Sequence, residues 1–319
     1  MNTVEFVDIT PATLPFIQKL LVERNGTLPG YVEWKYGGDS LQGFRGIVAF
    51  IGETPVGCFG LMPKTLCLEE QASPCGWFAD WYVSPSARRN GLGGQLLKQI
   101  TKKGYQYFFG HPGPKIASKI CLQNGWRAIP FQSSRRFIIS PYAYYKRRTH
   151  SIFKHMFLVL KYQLRTKEAD WIHKGPRTPI SQNTQAYFVD QNLDWLCLQP
   201  VNPKVNRSHG DWMGKKVVIH YCDDLLPTSE TRRRILWIEN IRENPQDVYS
   251  FFEEVKKSTV DYVEVFTTDK FLDDVLARAG AVRFAESPIV CYGNAHEVQN
   301  VCIQGGDREN WLYLAGGLR

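Results

Sequence analysis

The chain has 319 residues and a mass of 36.6 kDa, a length that suits two domains better than one. Hydrophobic residues make up 43% and charged residues 22% of it, a balance that excludes a chain disordered throughout. The net charge of +8 and the pI near 9.0 indicate an anionic partner. Charge alone does not distinguish an anionic cofactor, a membrane surface and nucleic acid.

The sequence predicts neither a transmembrane helix nor a secretory signal. No run of about eighteen apolar residues occurs, and the first ten residues lack a basic patch followed by an apolar core. The eight cysteines are scattered and form no Cys-x-x-Cys pair. This spacing fits reduced thiols better than a disulfide frame or a zinc site. We therefore expect a cytoplasmic protein without a bound metal.

Residue patterns in the first 140 positions predict a mixed α/β layer fold. A strand at 3–7 precedes an amphipathic helix that begins at Thr10 or Pro11 and reaches about Arg24. Strands on both sides of the turn at 52–55 predict a hairpin. The remaining elements are a strand at 76–84, a helix at 92–105, a short strand at 105–109, a helix at 115–123 and extended chain at 126–139.

Residues 141–172 combine basic and apolar side chains, and a proline-containing linker follows at 174–182. The segment fits a connecting helix that buries one apolar face, and it also fits a helix resting on an anionic membrane surface. Its basic residues are Lys146, Arg147, Arg148, Lys154, Lys161, Arg165 and Lys167. We therefore divide the chain into a first domain over 1–140, a basic connector over 141–183 and a second lobe over 184–319.

The second lobe repeats the element order of the first. Strands at 217–221, 235–241 and 262–266 alternate with helices at 245–257 and 270–279 in the order seen between 45 and 126. Either the unit is duplicated, or two α/β lobes merely share an order of elements.

The most informative segment is a glycine-rich turn between the strand ending at Val83 and the helix starting near Leu92. Pro85 stops the strand, Arg88 and Arg89 add positive charge, and glycines at 91, 93 and 94 open the helix. Glycines allow close approach of a ligand, and the free N–H groups of a first helical turn favour an anion such as pyrophosphate. Glycine at a helix start can also serve packing alone.

These residues resemble the coenzyme A signature of the GNAT acetyltransferase superfamily, Q/R-x-x-G-x-G/A, with Arg88, Gly91 and Gly93 at its fixed positions. The strand ending at 83–85 is similar to that of the family, and so is a second motif over 117–126 that closes with Gly125 and Trp126. The similarity covers residues 1–140 and reaches the second lobe through element order only. It implies a GNAT fold, with two GNAT-like lobes in tandem.

The resemblance implies acetyl-CoA, or another acyl-CoA, as co-substrate. The strands at 76–84 and 105–109 would splay apart around the pantetheine arm, and a backbone N–H at the opening would polarise the acyl carbonyl. The acceptor would attack directly, without a covalent enzyme intermediate. The expected cofactor contacts are Val83, Arg88, Arg89, Asn90, Gly91, Leu92, Gly93 and Gly94.

Direct attack needs a base for the nucleophile and an acid for the departing thiolate. Asp80, in the strand before the signature, is the candidate base, and a salt-bridged structural aspartate is the alternative. Members of the family commonly have a tyrosine that acts as the general acid, four residues before the glycine that ends the helix. In this sequence Cys121 occupies that position. A thiol could donate a proton or fill the core. Tyr82 or Tyr107 could take the role of acid instead.

The second lobe lacks this signature. Its corresponding helix start, at 242–247, carries acidic residues and no glycine, and carboxylates there cap the helix and repel phosphate. We therefore expect the second lobe to be a degenerate copy that walls the acceptor cleft without binding coenzyme A.

The sequence thus predicts an acyl-CoA-dependent acyltransferase, an N-acetyltransferase in the first instance. The segments 34–36 and 110–112 are similar to acyltransferases of bacterial surface-polysaccharide synthesis, which implies an amino sugar or sugar nucleotide as acceptor and no nucleic-acid partner. One alternative is a Fem-like aminoacyl transferase, against which the intact phosphate turn argues. The other is a non-catalytic module that senses acyl-CoA. The oligomeric state is not predicted.

Overall fold

Two β-sheets organise the computed structural model of the protein. The structure describes residues 3–25, 30–37, 45–68, 71–112, 115–130, 132–149, 151–172, 187–188, 205–226, 229–284, 289–293 and 303. The linker expected at 174–182 lies outside these residues. No helix in the described ranges is long and apolar enough to cross a membrane.

The first half of the chain forms the elements that its residue patterns predict. Its strands are β1 (Val4–Asp8), β2 (Arg45–Ile51), β3 (Thr54–Leu68), β4 (Gln71–Val83), β5 (Tyr107–Gly110), β6 (Arg127–Ala128) and β7 (Ser133–Ile138). Its helices are α1 (Leu14–Asn25), α2 (Tyr31–Tyr36), α3 (Leu92–Ile100) and α4 (Lys115–Gln123). Helix α3 ends earlier than predicted, because the chain turns at 101–103 and Gly104 takes a φ of 81° that favours glycine.

The connector and the second half supply the remaining elements. The connector contains two helices, α5 (Pro141–Lys146) and α6 (Ile152–Ile172). The later strands are β8 (Tyr187–Phe188), β9 (Asn206–Met213), β10 (Val218–Leu225), β11 (Thr231–Glu239), β12 (Tyr262–Thr267), β13 (Val282–Phe284) and β14 (Val290–Tyr292). The later helices are α7 (Pro245–Val255) and α8 (Lys270–Arg278). The result is a mixed α/β protein with two lobes, as the sequence predicts.

The two sheets exchange a strand. The first has the order β1-β2-β3-β4-β5-β14-β6, with β8 paired to β3, and the second has the order β13-β7-β12-β11-β10-β9. Strand β14, from the end of the chain, thus lies between β5 and β6, while β7, from the first 140 residues, lies between β12 and β13. A cut at residue 140 does not separate the sheets, and the proposed domain limits stay a prediction.

Four apolar clusters of the described residues hold the sheets and helices together, and one of them packs α5 and α6 against the second sheet. Helices α3 and α4 pack on one face of the first sheet, and α1 and α2 pack on the other. Helices α7 and α8 cover one face of the second sheet. The cluster beneath α1 and α2 also contains Cys222, Leu236, Trp237 and Phe266 of the second sheet, so the two lobes share part of one core.

Because each sheet needs a strand from the other half, we expect the lobes to unfold together. Val290 of β14 is fully buried against the α3–α4 face of the first sheet. Val290→Ala should lower the free energy of unfolding by about 2 kcal/mol, with one urea midpoint shifted in the signals from both lobes. Exposed Met213→Ala in β9 is the control and should change stability by less than about 0.5 kcal/mol. Two separate transitions, with only one of them shifted, would contradict this coupling.

Candidate active site

Strands β4 and β5 separate to leave an opening in the first sheet. They pair in parallel only over Cys75–Trp77 and Tyr107–Phe109, although β4 runs on to Val83. A Cβ at Gly110 would overlap the Phe78 ring, so glycine lets this ring pack directly on the end of β5. The parallel ladder thus ends after three residue pairs, and residues 78–83 of β4 continue beyond it, where the sequence predicts that the strands splay apart.

A β-bulge lies beside this opening. Cys58 of β3 pairs with Tyr82 and Gly60 pairs with Ala79, so Asp80 and Trp81 together stand opposite the single residue Phe59. Asp80 takes a φ of 44°, a left-handed conformation that aspartate tolerates better than most residues. Bulges re-aim side chains at functional sites. Here the bulge directs the Asp80 side chain towards α2, while the Trp81 ring stacks on Phe59 at 5.0 Å between ring centroids.

Side chains from α1 and α2 surround the buried Asp80 carboxylate. The Tyr36 hydroxyl donates a hydrogen bond to Oδ2 at 2.9 Å, and Lys35 Nζ lies 2.8 Å from the same oxygen. The Tyr31 hydroxyl is 3.3 Å from both carboxylate oxygens and accepts a hydrogen bond from Lys35 Nζ at 2.7 Å. Arg24 Nη1 lies 3.7 Å from Oδ1. The four side chains form a charged cluster around Asp80 in an otherwise apolar setting.

The cluster changes the protonation of its members. Burial raises the pKa of Asp80, but the cations of Lys35 and Arg24 and the hydrogen bonds lower it further, so the net pKa lies below the usual range. Asp80 is therefore a carboxylate at neutral pH. Burial lowers the pKa of Lys35 to about 8, against the opposing effect of Asp80. Lys35 can thus lose its proton near physiological pH, which an exposed lysine does not.

Gly60 makes this arrangement possible. A Cβ at position 60 would overlap the Tyr36 hydroxyl, which approaches β3 closely in order to reach Asp80. Sequence reasoning identified Asp80 but missed Arg24, Tyr31, Lys35 and Tyr36 as its partners. The available signal was the four-residue spacing of Tyr31 and Lys35, which places both on one side of α2.

The glycine-rich turn leads from β4 into α3 as predicted. After a 3-10 turn at Pro85–Ala87, Arg89 and Gly91 take left-handed φ values of 75° and 71°. A Cβ at Gly91 would meet no atom within 4 Å, so the turn is open to a ligand. The first intrahelical bond runs from Gln95 N to Gly91 O at 3.1 Å. The N–H groups of Leu92, Gly93 and Gly94 precede it and have no acceptor within the helix.

The predicted cofactor contacts are thereby brought together at one helix start. Arg88, Arg89 and Asn90 are exposed at its rim, and the first turn of α3 contains no acidic residue. Arg88 Nε donates a hydrogen bond to the Val83 carbonyl at 3.0 Å. The side chain of Leu92 packs into the core, so only its backbone can face a ligand. This arrangement suits a polyanion.

Of the three candidate acids, Tyr82 and Tyr107 lie on one face of the first sheet and Cys121 lies on the other. Tyr107 is fully buried, and its hydroxyl accepts a hydrogen bond from Gln106 Nε2 at 2.8 Å. Tyr82 packs on the α1–α2 face, the face of Asp80, where burial and the Glu23 carboxylate raise its pKa. Cys121 is fully buried between α4 and the other face, among Leu96, Leu97 and Trp126. Burial raises the pKa of this thiol to about 12. The position of Cys121 suits a core filler, and its role as acid stays a prediction.

The second lobe has a different helix start. Its strands β11 and β12 also pair in parallel over three residues, with α7 between them in the chain. At the start of α7, however, the Asp247 carboxylate accepts hydrogen bonds from the N–H groups of Lys216 at 2.8 Å and Val217 at 3.1 Å. Asn244 Nδ2 donates to its other oxygen at 2.8 Å. A carboxylate thus occupies the end of the helix where the first lobe has glycines.

Comparison with known proteins agrees with this geometry. Residues 14–111, from α1 to the end of β5, match the model of the acetyltransferase (GNAT) family. The protein therefore contains a GNAT domain that includes the bulge, the opening and the glycine-rich turn. No curated protein matches the chain.

Solved structures extend the similarity of fold across both lobes. A GCN5-related N-acetyltransferase from Anabaena variabilis is 12% identical, with a TM-score of 0.60 over 91% of this chain and 72% of the other. One from Kribbella flavida is 13% identical, with a TM-score of 0.55 over 91% and 71%. A probable N-acyltransferase from Enterococcus faecalis is 11% identical, with a TM-score of 0.53 over 93% and 74%. At such identities, the comparison shows a shared GNAT fold.

The charged cluster generates a prediction about stability. Lys35→Met removes the closest cation from a buried carboxylate and should cost about 3 to 5 kcal/mol of unfolding free energy at neutral pH. The cost should shrink at acidic pH, because a protonated Asp80 needs no cation. Urea unfolding at neutral and acidic pH measures both values. The control is Lys215→Met at an exposed position, expected to change stability by less than about 0.5 kcal/mol. An equal loss for Lys35→Met at both pH values would contradict the ion pair.

Proposed function

We propose that this protein is an acyl-CoA-dependent acyltransferase, in the first instance an N-acetyltransferase, acting on an amine or hydroxyl of a small acceptor. The observation that carries the proposal is the proximity of three features in one GNAT domain. These are the point where the β4–β5 ladder ends, the glycine-opened start of α3, and the bulge that carries Asp80, which lies between the two along the chain.

The donor set at the start of α3 fits the pyrophosphate of coenzyme A. The N–H groups of Leu92, Gly93 and Gly94 lack helical acceptors, no acidic side chain lies in the first turn, and Arg88 and Arg89 add charge at the rim. The edge of β4 along the opening offers backbone groups to an extended pantetheine arm, as an added strand would use them. Acetyl-CoA would supply the thioester carbonyl.

The chemistry we propose is direct transfer. The acceptor nitrogen or oxygen bonds to the acyl carbon, the C–S bond breaks, and the thiolate leaves with the electron pair. A backbone N–H of the bulged segment stabilises charge on the carbonyl oxygen. Asp80 receives the acceptor proton, and Tyr82, on the same face, gives a proton to the thiolate. Cys121 lies on the opposite face of the sheet from Asp80 and Tyr82.

The low pKa of Asp80 makes it a weak base. The charged cluster contains a second group, Lys35, that can accept the proton. Lys35 Nζ lies 2.8 Å from Asp80 and 2.7 Å from the Tyr31 hydroxyl, and its pKa is lowered to about 8. As the pH rises through this value Lys35 loses its proton, and the neutral amine can then take over a proton that Asp80 accepts. This relay would keep Asp80 ionised during turnover.

For the acceptor we propose an amino sugar or sugar nucleotide, used in the cytoplasm. A half-buried Trp34 lies 5.7 Å from Tyr31 between ring centroids, so an aromatic side chain stands close to the Asp80 cluster. The apolar face of a sugar ring can pack on such a surface. The second lobe, whose α7 start carries Asp247 in place of glycines, would shape the acceptor cleft without holding a second coenzyme A.

One observation favours a second candidate, a module that senses acyl-CoA without turnover. Asp80 is already engaged by Lys35, Tyr36 and Arg24, and Cys121 replaces the tyrosine that commonly acts as acid. In this alternative the cofactor turn keeps its function while the charged cluster serves stability only.

Cofactor binding can be tested with two matched glycine variants. Gly91→Glu places a carboxylate at the start of α3 and should weaken acetyl-CoA binding at least about tenfold, through like-charge repulsion of phosphate. Gly52→Glu is the control, because Gly52 also has a left-handed φ, 59°, and open surroundings, but lies in the β2–β3 turn. Both variants should lose similar stability. If calorimetry gave equal acetyl-CoA affinities for the two variants, the start of α3 would not be the cofactor site.

Catalysis can be tested by release of free coenzyme A from acetyl-CoA with a panel of amino sugars. Asp80→Asn should lower kcat by roughly a hundredfold or more, and Tyr82→Phe by at least about tenfold, with acetyl-CoA affinity retained. Cys121→Ala should lower stability and leave kcat unchanged. Wild-type turnover by Asp80→Asn would exclude Asp80 as base. Tight acetyl-CoA binding without release for any amine or hydroxyl acceptor would favour the sensing module.

A further inference from the structure

Helix α6 carries an apolar stripe that faces solvent. Its side chains are between 54% and 83% exposed, and their spacing of one and four residues places them on one side of the helix. The members of this apolar stripe are Ile152, Phe153, Met156, Phe157 and Leu160. The sequence fits a connecting helix that buries its apolar face, but within the part of the chain that the structure describes this face is exposed. Exposed apolar stripes of this kind mark interaction sites.

The opposite side of α6 fixes the helix to the second sheet. Tyr162 is buried, and its hydroxyl accepts from Ile138 N at 3.0 Å and donates to Ile138 O at 3.2 Å. In the preceding α5–α6 turn, Arg148 binds Glu230 at 2.6 Å and Arg147 binds Asp261 at 2.8 Å. These contacts hold α6 in one orientation against the second sheet, with the apolar stripe on the side that faces away from the sheet.

The charges around the apolar stripe indicate its partner. Residues 141–167 contain seven Lys or Arg residues and no Asp or Glu. Arg147 and Arg148 are used in the support, but Lys146, Lys154 and Lys161 are exposed, and none has a carboxylate within 4 Å among the described residues. Lys154 and Lys161, seven residues apart, line the same margin of the stripe, and Lys161 Nζ lies 6.0 Å from the Phe157 ring centroid.

We propose that α6 is a docking surface for an anionic lipid bilayer. The apolar stripe would enter the boundary between headgroups and acyl chains, while Lys154 and Lys161 contact lipid phosphates. The apolar stripe is bordered by Lys154 and Lys161, and the carboxylates of α6, Glu168 and Asp170, follow the stripe in the chain. This pattern matches a bilayer, whose interior is apolar and whose anionic headgroups are negative. This proposal concerns binding to a surface and is independent of the acyl transfer proposed above.

Vesicle sedimentation of the full chain tests the proposal. The protein should sediment with vesicles of phosphatidylcholine mixed with phosphatidylglycerol, less so with phosphatidylcholine alone, and binding should fall as salt is added. Lys154→Gln with Lys161→Gln should weaken binding roughly thirtyfold, since each basic residue contributes about fivefold. Phe153→Ser with Phe157→Ser should abolish it. The control is Met213→Ser with Lys215→Gln in the β9–β10 region, expected to bind as the wild type does.

The remaining outcomes overturn the proposal. Absence of binding to anionic vesicles would do so, as would binding that both α6 variants retain. A dimer in sedimentation velocity without lipid, converted to monomer by Phe153→Ser with Phe157→Ser, would assign the apolar stripe to a second copy of the chain. Unchanged thermal melting and acetyl-CoA affinity of the variants ensure that a loss of binding reflects the surface and not the fold.

Discussion

The structure of the first lobe depends on the compensation of one buried carboxylate. Asp80 occupies a bulge in β4, where its side chain is withdrawn from water, and an uncompensated charge there would be strongly destabilising. Lys35 and Tyr36 of α2 and Arg24 of α1 provide the compensation. This requirement fixes α2 over the sheet, and it explains why β3 has glycine at position 60 where the Tyr36 hydroxyl approaches.

The same cluster links structure to the proposed chemistry. The bulge that turns Asp80 towards α2 lies where β4 parts from β5, next to the turn that leads into α3. The Asp80 carboxylate is ionised because neighbouring cations lower its pKa. The pKa of Lys35 is lowered towards neutral pH because this side chain is buried. Burying these charged groups costs stability, but it also provides groups that can transfer protons. Shifted pKa values such as those of Asp80 and Lys35 are typical of functional sites.

The second lobe combines a similar order of elements with a different helix start. Both lobes place a helix after a strand of a parallel pair, and both pairs are short. In the first lobe the helix start is open and lined by glycines. In the second lobe Asp247 binds the backbone of residues 216 and 217, so its charge and hydrogen bonds are already used. Strand exchange and a shared part of the core join the two lobes.

The sequence by itself determined the local features: the span of most helices and strands, the glycine-rich turn at 88–94, and Asp80 as a candidate. These follow from periodicity, turn residues and short motifs, which act over neighbouring positions. Only the tertiary structure decided what depends on distant contacts. Asp80 meets Tyr31 and Tyr36 from 49 and 44 residues away, and β14 joins a sheet that begins at the other end of the chain. The apolar spacing of α6 was visible in the sequence, but periodicity defines a face without saying whether anything covers it; the packing of Tyr162 on β7 decided which side stayed open.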